Sequence, residues 1–265
     1  MLLLVVEGNK KETWQEREEY GGVPYHKRFM EMLELLRPEA KVEVAFPADS
    51  DTSLPSIDKL KAFDGVLWTG SSLYVNDPTQ AVQRQLTFAE DIFKSGVPFY
   101  GSCWGLQIAA VVAGGKVDAC KKGRELGIAD PIELTGEGIR YPCFKGRKDK
   151  FNALCIHLDE VVRLPVNSRI LARNEHSEIQ AMAIQYRNSE FFGVQYHPEF
   201  LISDIVFIIR YMSETLIDEG LFKSEKEIED FIAKLEKQSD LPESVIDYTA
   251  HTQEIKYWLE HVLKT

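Results

Sequence analysis

One cysteine in the sequence has the neighbours of a catalytic nucleophile. Cys103 lies two residues from Gly101 on one side and two residues from Gly105 on the other. This glycine spacing is typical of a sharp turn from a strand into a helix, where larger side chains would clash with the backbone on either side. The dipole of the following helix favours a thiolate over a thiol, and the N–H of Trp104 is placed to bind an oxyanion. The pattern predicts a cysteine nucleophile beside an oxyanion site.

A cysteine nucleophile needs a base, and the base needs an orienting group. Of the six histidines, His197 stands out because it ends an apolar run and is followed by Pro198 and Glu199. A strand that delivers His197, followed by a turn that the proline fixes, would bring the Glu199 carboxylate back to the same imidazole. A single histidine at a strand end is an ordinary structural feature, so His197 and Glu199 indicate catalysis only together with Cys103.

The elements that must position these side chains alternate between strands and helices in the first part of the chain. Apolar runs predict strands at residues 2–6, 41–46, 65–69 and 97–100, and helical spacing predicts helices at residues 25–36, 77–94 and 106–112. Strands that are apolar on both faces are typical of a mostly parallel sheet covered by helices on both sides. Ligand sites in such sheets lie at the carboxyl ends of the strands, where Cys103 and Gly70 are both placed. We therefore predict an α/β fold with its site at this edge.

After Gly114 and Gly115 the pattern changes to short β segments separated by turn residues, which is typical of antiparallel pairing. These segments are residues 116–120, 153–157, 161–164, 169–172, 179–184 and 191–195. A helix is predicted from about Leu201, and amphipathic helices are predicted over residues 225–237 and 252–263. We expect residues 1–219 to form one α/β domain and residues 220–265 to form a helical extension packed on that domain.

Composition narrows the functional classes. The net charge is −11 and no basic stripe is present, which disfavours nucleic-acid binding. The apolar residues 1–6 end at Glu7, which is too short a run for the core of a signal peptide or for a membrane span. The four cysteines form no C-x-x-C pair, so neither a zinc site nor a dithiol motif is indicated. No metal and no cofactor are predicted. A free reactive thiol suits a reducing cytoplasm.

The two motifs together resemble the signature of the class I glutamine amidotransferase superfamily. In that family the first motif, here residues 101–107, carries the cysteine nucleophile, and the second, here residues 193–199, carries the histidine and glutamate of the catalytic triad. Both occur in the family's order, and the resemblance covers about residues 2–219. It implies a flavodoxin-like α/β fold and a likeness to stand-alone domains of the GMP-synthase glutaminase type.

Two further segments carry the resemblance. The family has a glycine-containing loop after the third strand, often Gly-Gly-Pro, and residues 69–71 take its place without the proline and one glycine. The resemblance implies that the N–H groups of Gly70 and Trp104 bind the oxyanion and that Gln107 lies near the substrate. Residues 155–165 are similar to the family's Ser-His-x-Asp-x-Val-x-x-Leu-Pro segment, with Ile156 at the serine and His157 as a structural residue near the site.

The resemblance implies acyl transfer from glutamine or another γ-glutamyl compound. Cys103 would attack the side-chain amide carbon with proton transfer by His197, and water would hydrolyse the thioester. Two interpretations stay open: a protein that passes ammonia to a separate synthetase, and a free-standing hydrolase of γ-glutamyl compounds. No G-x-x-x-x-G-K-[ST] run is present, so any synthetase would be a separate chain. An α/β-hydrolase is disfavoured because its acid precedes the histidine, and a silent binding domain is disfavoured by the complete set of Cys103, His197 and Glu199.

Overall fold

The computed structural model describes residues 1–261, which contain eleven strands and twelve α-helices. The strands are β1 (Leu2–Val6), β2 (Lys41–Ala45), β3 (Gly65–Trp68), β4 (Phe99–Ser102), β5 (Lys116–Ala119), β6 (Glu125–Leu134), β7 (Lys150–His157), β8 (Asp159–Arg163), β9 (Ser168–Arg173), β10 (Ala181–Tyr186) and β11 (Ser189–Val194). The helices are α1 (Lys11–Glu19), α2 (Tyr25–Leu36), α3 (Ile57–Leu60), α4 (Gln80–Ser95), α5 (Trp104–Val112), α6 (Gly136–Arg140), α7 (Ile202–Tyr211), α8 (Ser213–Asp218), α9 (Glu225–Glu236), α10 (Glu243–Ile246), α11 (Tyr248–His251) and α12 (Gln253–His261).

Nine of the strands form one sheet in the order β2-β1-β3-β4-β11-β10-β9-β6-β7. Neighbouring strands from β2 to β11 run parallel, and neighbouring strands from β11 to β7 run antiparallel. Strands β5 and β8 form a separate two-stranded antiparallel sheet. The predicted α/β fold is confirmed. Among the strands after Gly115, which were expected to pair only antiparallel, β11 also pairs in parallel with β4, because it inserts beside that strand.

Apolar side chains of the central strands point alternately to the two faces of the sheet and form an apolar layer on each face. In β1, Leu4 and Val6 share a buried cluster with residues of α4 and α5, whereas Leu3 and Val5 share one with residues of α2 and α12. Successive side chains of a strand point to opposite faces, so both faces of the sheet are covered by helices. This arrangement explains why every residue of β3 and β4 is buried.

The helices near the C-terminal end of the described chain pack on two different layers. Helix α12 contributes Ile255, Trp258 and Leu259 to the layer under α2, and α9 contributes Ile228 and Ile232 to a third cluster with α7. The predicted helix over residues 225–237 is found as α9, and the one over residues 252–263 is found as α12, with residues 262 and 263 outside the described residues. None of the helices in residues 1–261 has the length and apolar composition needed to cross a membrane.

The longest strand, β6, is not among the elements that the sequence pattern predicts. Gly127 adopts a φ of +90° within it, and its register with β7 shifts between Ala129 and Ile132, next to Pro131. A β-bulge of this kind interrupts the two-residue periodicity by which a strand is recognised. Helix α1 is also missed, because its residues are polar and only Arg17 among them is buried.

Candidate active site

Cys103 is the single residue between the end of β4 and the start of α5. Its φ of +48° is a left-handed backbone conformation that residues other than glycine rarely adopt, and its N–H donates to Val194 O at 2.7 Å. Close backbone approach requires the flanking glycines: a Cβ on Gly101 would lie 2.6 Å from Gly105 C, and one on Gly105 would lie 2.8 Å from Trp68 O. The strained turn places the thiol at the carboxyl edge of the parallel strands.

The strand that carries the candidate base lies next to the strand that carries the nucleophile. Val194 of β11 pairs with Ser102 of β4 in the parallel register, so the segment after β11 emerges at the same edge as Cys103. His197 lies in this segment and is only 2% exposed. Its ring stacks on Phe200 with the ring centroids 4.0 Å apart and the planes 1° from parallel. The imidazole is therefore held in one orientation by packing on one face.

The Glu199 carboxylate fixes the imidazole from its edge. Glu199 Oε1 accepts a hydrogen bond from His197 Nδ1 at 2.7 Å and another from Ser102 Oγ at 3.0 Å. The carboxylate is fully buried. Because Ser102 immediately precedes Cys103, one carboxylate oxygen joins the two sequence motifs. Sequence reasoning assigned no role to Ser102, since it occupies a variable position of the glycine-flanked pattern.

The ring of His197 interacts with Cys103 as well as with Glu199. Burial by itself lowers the pKa of His197, but the negative charges of Glu199 and Cys103, together with their hydrogen bonds to the ring, raise that pKa to about 10. The ring is therefore an imidazolium at neutral pH. The arrangement places a buried imidazolium and carboxylate beside Cys103.

We expect the ring of His197 to stay protonated in an NMR titration until the pH approaches about 10. A histidine with a raised pKa contributes stability that is fully present below its unfolded-state pKa and is lost as the pH rises through the folded-state value. In the Cys103→Ala variant the thiolate charge is absent, so the ring should lose its proton at a lower pH. The His197→Asn variant assigns the signal, and identical titrations of the ring in the wild type and in Cys103→Ala would contradict the coupling.

Gly70 follows β3 and lies against the imidazole. A Cβ at this position would lie 2.7 Å from His197 Cε1 and 3.5 Å from Tyr25 Cε2, so a larger residue would displace the ring. Trp104 is the first residue of α5, and a backbone N–H in the first turn of a helix has no acceptor within that helix. The structure thus brings Gly70 and Trp104 to the edge of the sheet that carries Cys103.

Known proteins are similar to this chain in sequence and in fold. The model of the family "Glutamine amidotransferase class-I" matches residues 31–205. The chain belongs to the class-I glutamine amidotransferase family. A γ-glutamyl-L-1-hydroxyisopropylamide hydrolase from a Pseudomonas species is 34% identical over 232 residues, which are 86% of this chain and 77% of that protein. Family membership makes the protein an enzyme of the amidotransferase or hydrolase type.

One further relative resembles this chain in sequence, and one solved structure resembles it in fold. One subunit of a glutamine-hydrolysing GMP synthase from Sulfolobus acidocaldarius is 35% identical over 181 residues, which are 68% of this chain and 86% of that relative. The crystal structure of a glutamine amidotransferase from Thermotoga maritima aligns with a TM-score of 0.67 over 100% of this chain and 99% of its own, at 16% identity. The likeness to the Thermotoga structure supports the fold alone.

Gln107, which the resemblance placed near the substrate, lies in α5 and reaches across to β8. Its Nε2 donates to Asp159 O at 2.9 Å and lies 3.5 Å from Gln195 Oε1. The side chain is 4% exposed and lines the cleft in front of Cys103. Gln107 therefore holds the first residue of β8 beside the candidate site.

His157 also lines the cleft, and it is anchored by a residue that sequence reasoning missed. Its Nε2 bonds to Glu125 Oε2 at 2.8 Å, and its Nδ1 lies 3.2 Å from Asp159 O. Burial alone raises the pKa of Glu125, but the hydrogen bond and the charge of His157 outweigh burial and lower that pKa. Gln180 Nε2 donates to the same carboxylate at 2.7 Å. The prediction that His157 is a structural residue near the site is consistent with these contacts.

The cleft in front of Cys103 encloses about 620 Å³, open solvent at its mouth included. Much of its wall is apolar and consists of Tyr25, Leu73, Ile156, Leu158, Ile208 and Met212. Within residues 1–261, no cluster of three or more His, Cys, Asp and Glu side chains is arranged to hold a metal ion.

Proposed function

We propose that this protein is a free-standing hydrolase of γ-glutamyl amides that cleaves the amide C–N bond through a thioester on Cys103. The observation that carries the proposal is the buried set of Cys103, His197 and Glu199, in which Glu199 Oε1 accepts from His197 Nδ1 at 2.7 Å and Cys103 acts on the same ring. A thiolate held beside an imidazolium is an activated nucleophile for an acyl carbon. Cys103 and His197 both line a cleft that is open to solvent.

In the first half of the proposed reaction the thiolate of Cys103 attacks the side-chain carbonyl carbon of the substrate. The carbonyl oxygen becomes an oxyanion, for which the N–H groups of Gly70 and Trp104 are the proposed donors. The imidazolium of His197 then gives its proton to the amide nitrogen as the C–N bond breaks. An amine or ammonia leaves, and a γ-glutamyl thioester and a neutral imidazole remain.

In the second half, the neutral imidazole of His197 accepts a proton from a water molecule. The resulting hydroxide attacks the thioester carbon, and the C–S bond breaks to release glutamate. Glu199 keeps the ring in the tautomer that each step needs and stabilises the imidazolium that forms again. The thiolate of Cys103 is restored, so no co-reactant other than water is consumed.

The wall of the cleft favours amides of small aliphatic amines. Ile156 stands where the family has a serine, and Ile208 and Met212 add further apolar surface from α7 and the residue after it. Apolar surface of this kind binds an alkyl group of a leaving amine better than it binds ammonia. The relative that hydrolyses γ-glutamyl-L-1-hydroxyisopropylamide supports the same substrate class.

A second candidate function is supply of ammonia to a separate synthetase chain. The likeness to the GMP synthase relative favours it, because that relative is itself one subunit of a glutamine-hydrolysing enzyme. Both candidates use the same proposed triad and differ in the fate of the nitrogen.

All four cysteines are free, and a reactive free thiol suits the reducing cytoplasm in which we place the protein.

The proposal is tested by incubating the purified protein with glutamine, γ-glutamyl ethylamide, γ-glutamyl-L-1-hydroxyisopropylamide and γ-glutamyl dipeptides. Released amine is quantified, and intact-protein mass spectrometry detects the γ-glutamyl adduct. We expect the alkylamides to be turned over faster than glutamine without any second protein. Glutamine hydrolysis that starts only when a synthetase is added would favour the second candidate, and no adduct with any compound would contradict both.

Replacing Gly70 by alanine should lower kcat/KM for the best amide by about 10- to 100-fold, because a misplacement of the order of 1 Å at a reacting group has an effect of this size. The new Cβ would meet His197 Cε1 at 2.7 Å. Gly136→Ala is the matched control, because the nearest atom to a Cβ there is 3.8 Å away. Steady-state kinetics compare the two variants, and equal activities would exclude the steric role of Gly70.

A further inference from the structure

The residues that carry the two proposed oxyanion donors meet at one glycine. Gly8 follows β1, and a Cβ there would lie 2.7 Å from Gly70 O and 2.8 Å from Trp104 Cδ1. The backbone of Gly8 therefore packs against both the loop after β3 and the first residue of α5. Close approach of this kind requires glycine, because a larger residue would displace the loop or the indole.

Two hydroxyl groups tie the loop of Gly70 to the backbone of Gly8. Thr69 Oγ1 accepts from Gly8 N at 2.9 Å and donates to Gly70 O at 2.8 Å. Ser71 Oγ donates to Gly8 O at 2.9 Å. The loop contains no proline, so these side-chain hydrogen bonds, rather than a proline ring, hold its backbone.

Gln85 of α4 joins Trp104 to the same glycine. Its Oε1 accepts from Trp104 Nε1 at 2.8 Å, and its Nε2 donates to Gly8 O at 3.1 Å. The side chain is fully buried. The carboxamide therefore forms a bridge of two hydrogen bonds, from the indole of one donor residue to the glycine that anchors the loop of the other.

Packing alone does not explain a glutamine at this position. The other buried residues of α4 are all apolar: Ala81, Val82, Phe88, Ala89, Ile92 and Phe93. An amide buried on an apolar face is tolerated only when it is hydrogen-bonded, and an apolar side chain would avoid its desolvation. Gly8 O also accepts from Ser71, so this carbonyl does not depend on Gln85 for a partner. What the glutamine adds is the connection between Gly8 and Trp104.

We infer that Gln85 is a positioning residue that fixes the N–H groups of Gly70 and Trp104 relative to each other before the oxyanion forms. The inference rests on the proposed function and adds a residue outside the triad and its donors. Donors that are already in place when charge develops stabilise that charge without reorganisation, and side chains behind them supply the rigidity. Without the bridge, the loop after β3 and the start of α5 move independently. The loss therefore falls on the step that forms the oxyanion and not on substrate binding.

The test compares a reaction of Cys103 that forms an oxyanion with one that does not. Acylation by γ-glutamyl ethylamide forms an oxyanion, and it is followed as ethylamine released in a single turnover with the enzyme in excess. In alkylation by iodoacetamide the sulfur displaces iodide directly at carbon, so no oxyanion forms, and mass spectrometry follows the product. In Gln85→Met, which keeps the length of the side chain without its amide, acylation should slow by about 10- to 100-fold. Alkylation of Cys103 should stay within about twofold of the wild type.

Substrate binding is measured separately in the inactive Cys103→Ala background, where calorimetry gives the Kd of intact γ-glutamyl ethylamide. Adding Gln85→Met should leave this Kd within about twofold, because the bound amide carries no oxyanion. If Gln85→Met does not fold, Gln85→Leu carries the same comparison, since its apolar side chain suits the apolar face of α4.

Two control variants separate the bridge from the substitution itself and from stability. Gln83→Met makes the same replacement on the exposed face of the same helix. Ser189→Ala removes buried hydrogen bonds from Ser189 Oγ to Ile92 O and Phe93 O, so its unfolding midpoint should fall. Both controls should keep the acylation rate of the wild type.

Three outcomes would overturn the positioning role of Gln85. An acylation rate in Gln85→Met equal to that of the wild type would show that the bridge positions nothing. Equal losses in acylation and alkylation, or a rise in Kd that accounts for the whole loss, would make Gln85 a structural residue only. A wild type that forms no adduct with any γ-glutamyl compound would overturn the proposed function and this inference with it, and that result is seen before any variant is made.

Discussion

Cys103→Ala is expected to abolish amide hydrolysis, with kcat reduced by about 10⁴-fold or more, the loss that removal of a triad member produces. The covalent route disappears because no thiolate remains to attack the carbonyl carbon. The substitution removes one sulfur atom and leaves the backbone turn in place, so circular dichroism and the unfolding midpoint should stay close to those of the wild type. Intact-protein mass spectrometry should show no γ-glutamyl adduct on the variant.

Cys120→Ala provides the matched control for this substitution. Cys120 is also a free cysteine and is also 6% exposed, but its Sγ lies near His176 O and outside the proposed triad. Its replacement should leave kcat within about twofold of the wild type, as is usual for a small change away from a reacting group. Substantial turnover by Cys103→Ala, or a comparable loss in Cys120→Ala, would show that Cys103 is not the nucleophile.

Glu199→Gln is expected to lower kcat by about 10³- to 10⁴-fold, because the orienting acid of a triad has an effect of this order. The amide keeps the size of the carboxylate but removes the charge that raises the pKa of His197. The imidazolium is then less favoured, and the ring is no longer held in one tautomer. The alkaline limb of the pH profile of kcat/KM should move to lower pH than in the wild type.

Ser102→Ala separates the charge of Glu199 from its hydrogen bonds. The serine hydroxyl donates to Glu199 Oε1 at 3.0 Å, so its removal takes away one donor and leaves the carboxylate in place. Kinetics should show a loss of about 10-fold, the effect of one hydrogen bond to a charged group. If Glu199→Gln were no more harmful than Ser102→Ala, the carboxylate would not be the orienting group of the triad.

The short-range parts of the site were predictable because they depend on neighbouring residues. Gly101 and Gly105 bracket Cys103 within one turn, and their requirement follows from backbone clashes that do not depend on the rest of the fold. His197 and Glu199 are two residues apart, and the structure finds the hydrogen bond that this spacing predicts. Their catalytic roles remain predictions for the variants above.

Other parts of the site are created by contacts between distant segments. Ser102 and Glu199 are 97 positions apart, and Arg124 and Glu219 are 95 positions apart, so no local sequence pattern predicts either contact. Arg124 also adjoins β6, and the bulge beside Pro131 interrupts the alternating pattern by which this strand could have been predicted. The positions of the charged groups in the cleft therefore could not be predicted without the order of strands in the sheet.

The sequence by itself determined that this protein has a cysteine in a strained strand-to-helix turn and a histidine paired with a glutamate, because both depend on residues close in the chain. Only the tertiary structure decided that they meet, since β11 inserts beside β4 with Val194 opposite Ser102. It also decided that Gly70 lies against His197 and that Arg124 and Asp159 share the cleft. The physical reason is that strand order and register are set by packing of both sheet faces over the whole chain, which a local pattern does not encode.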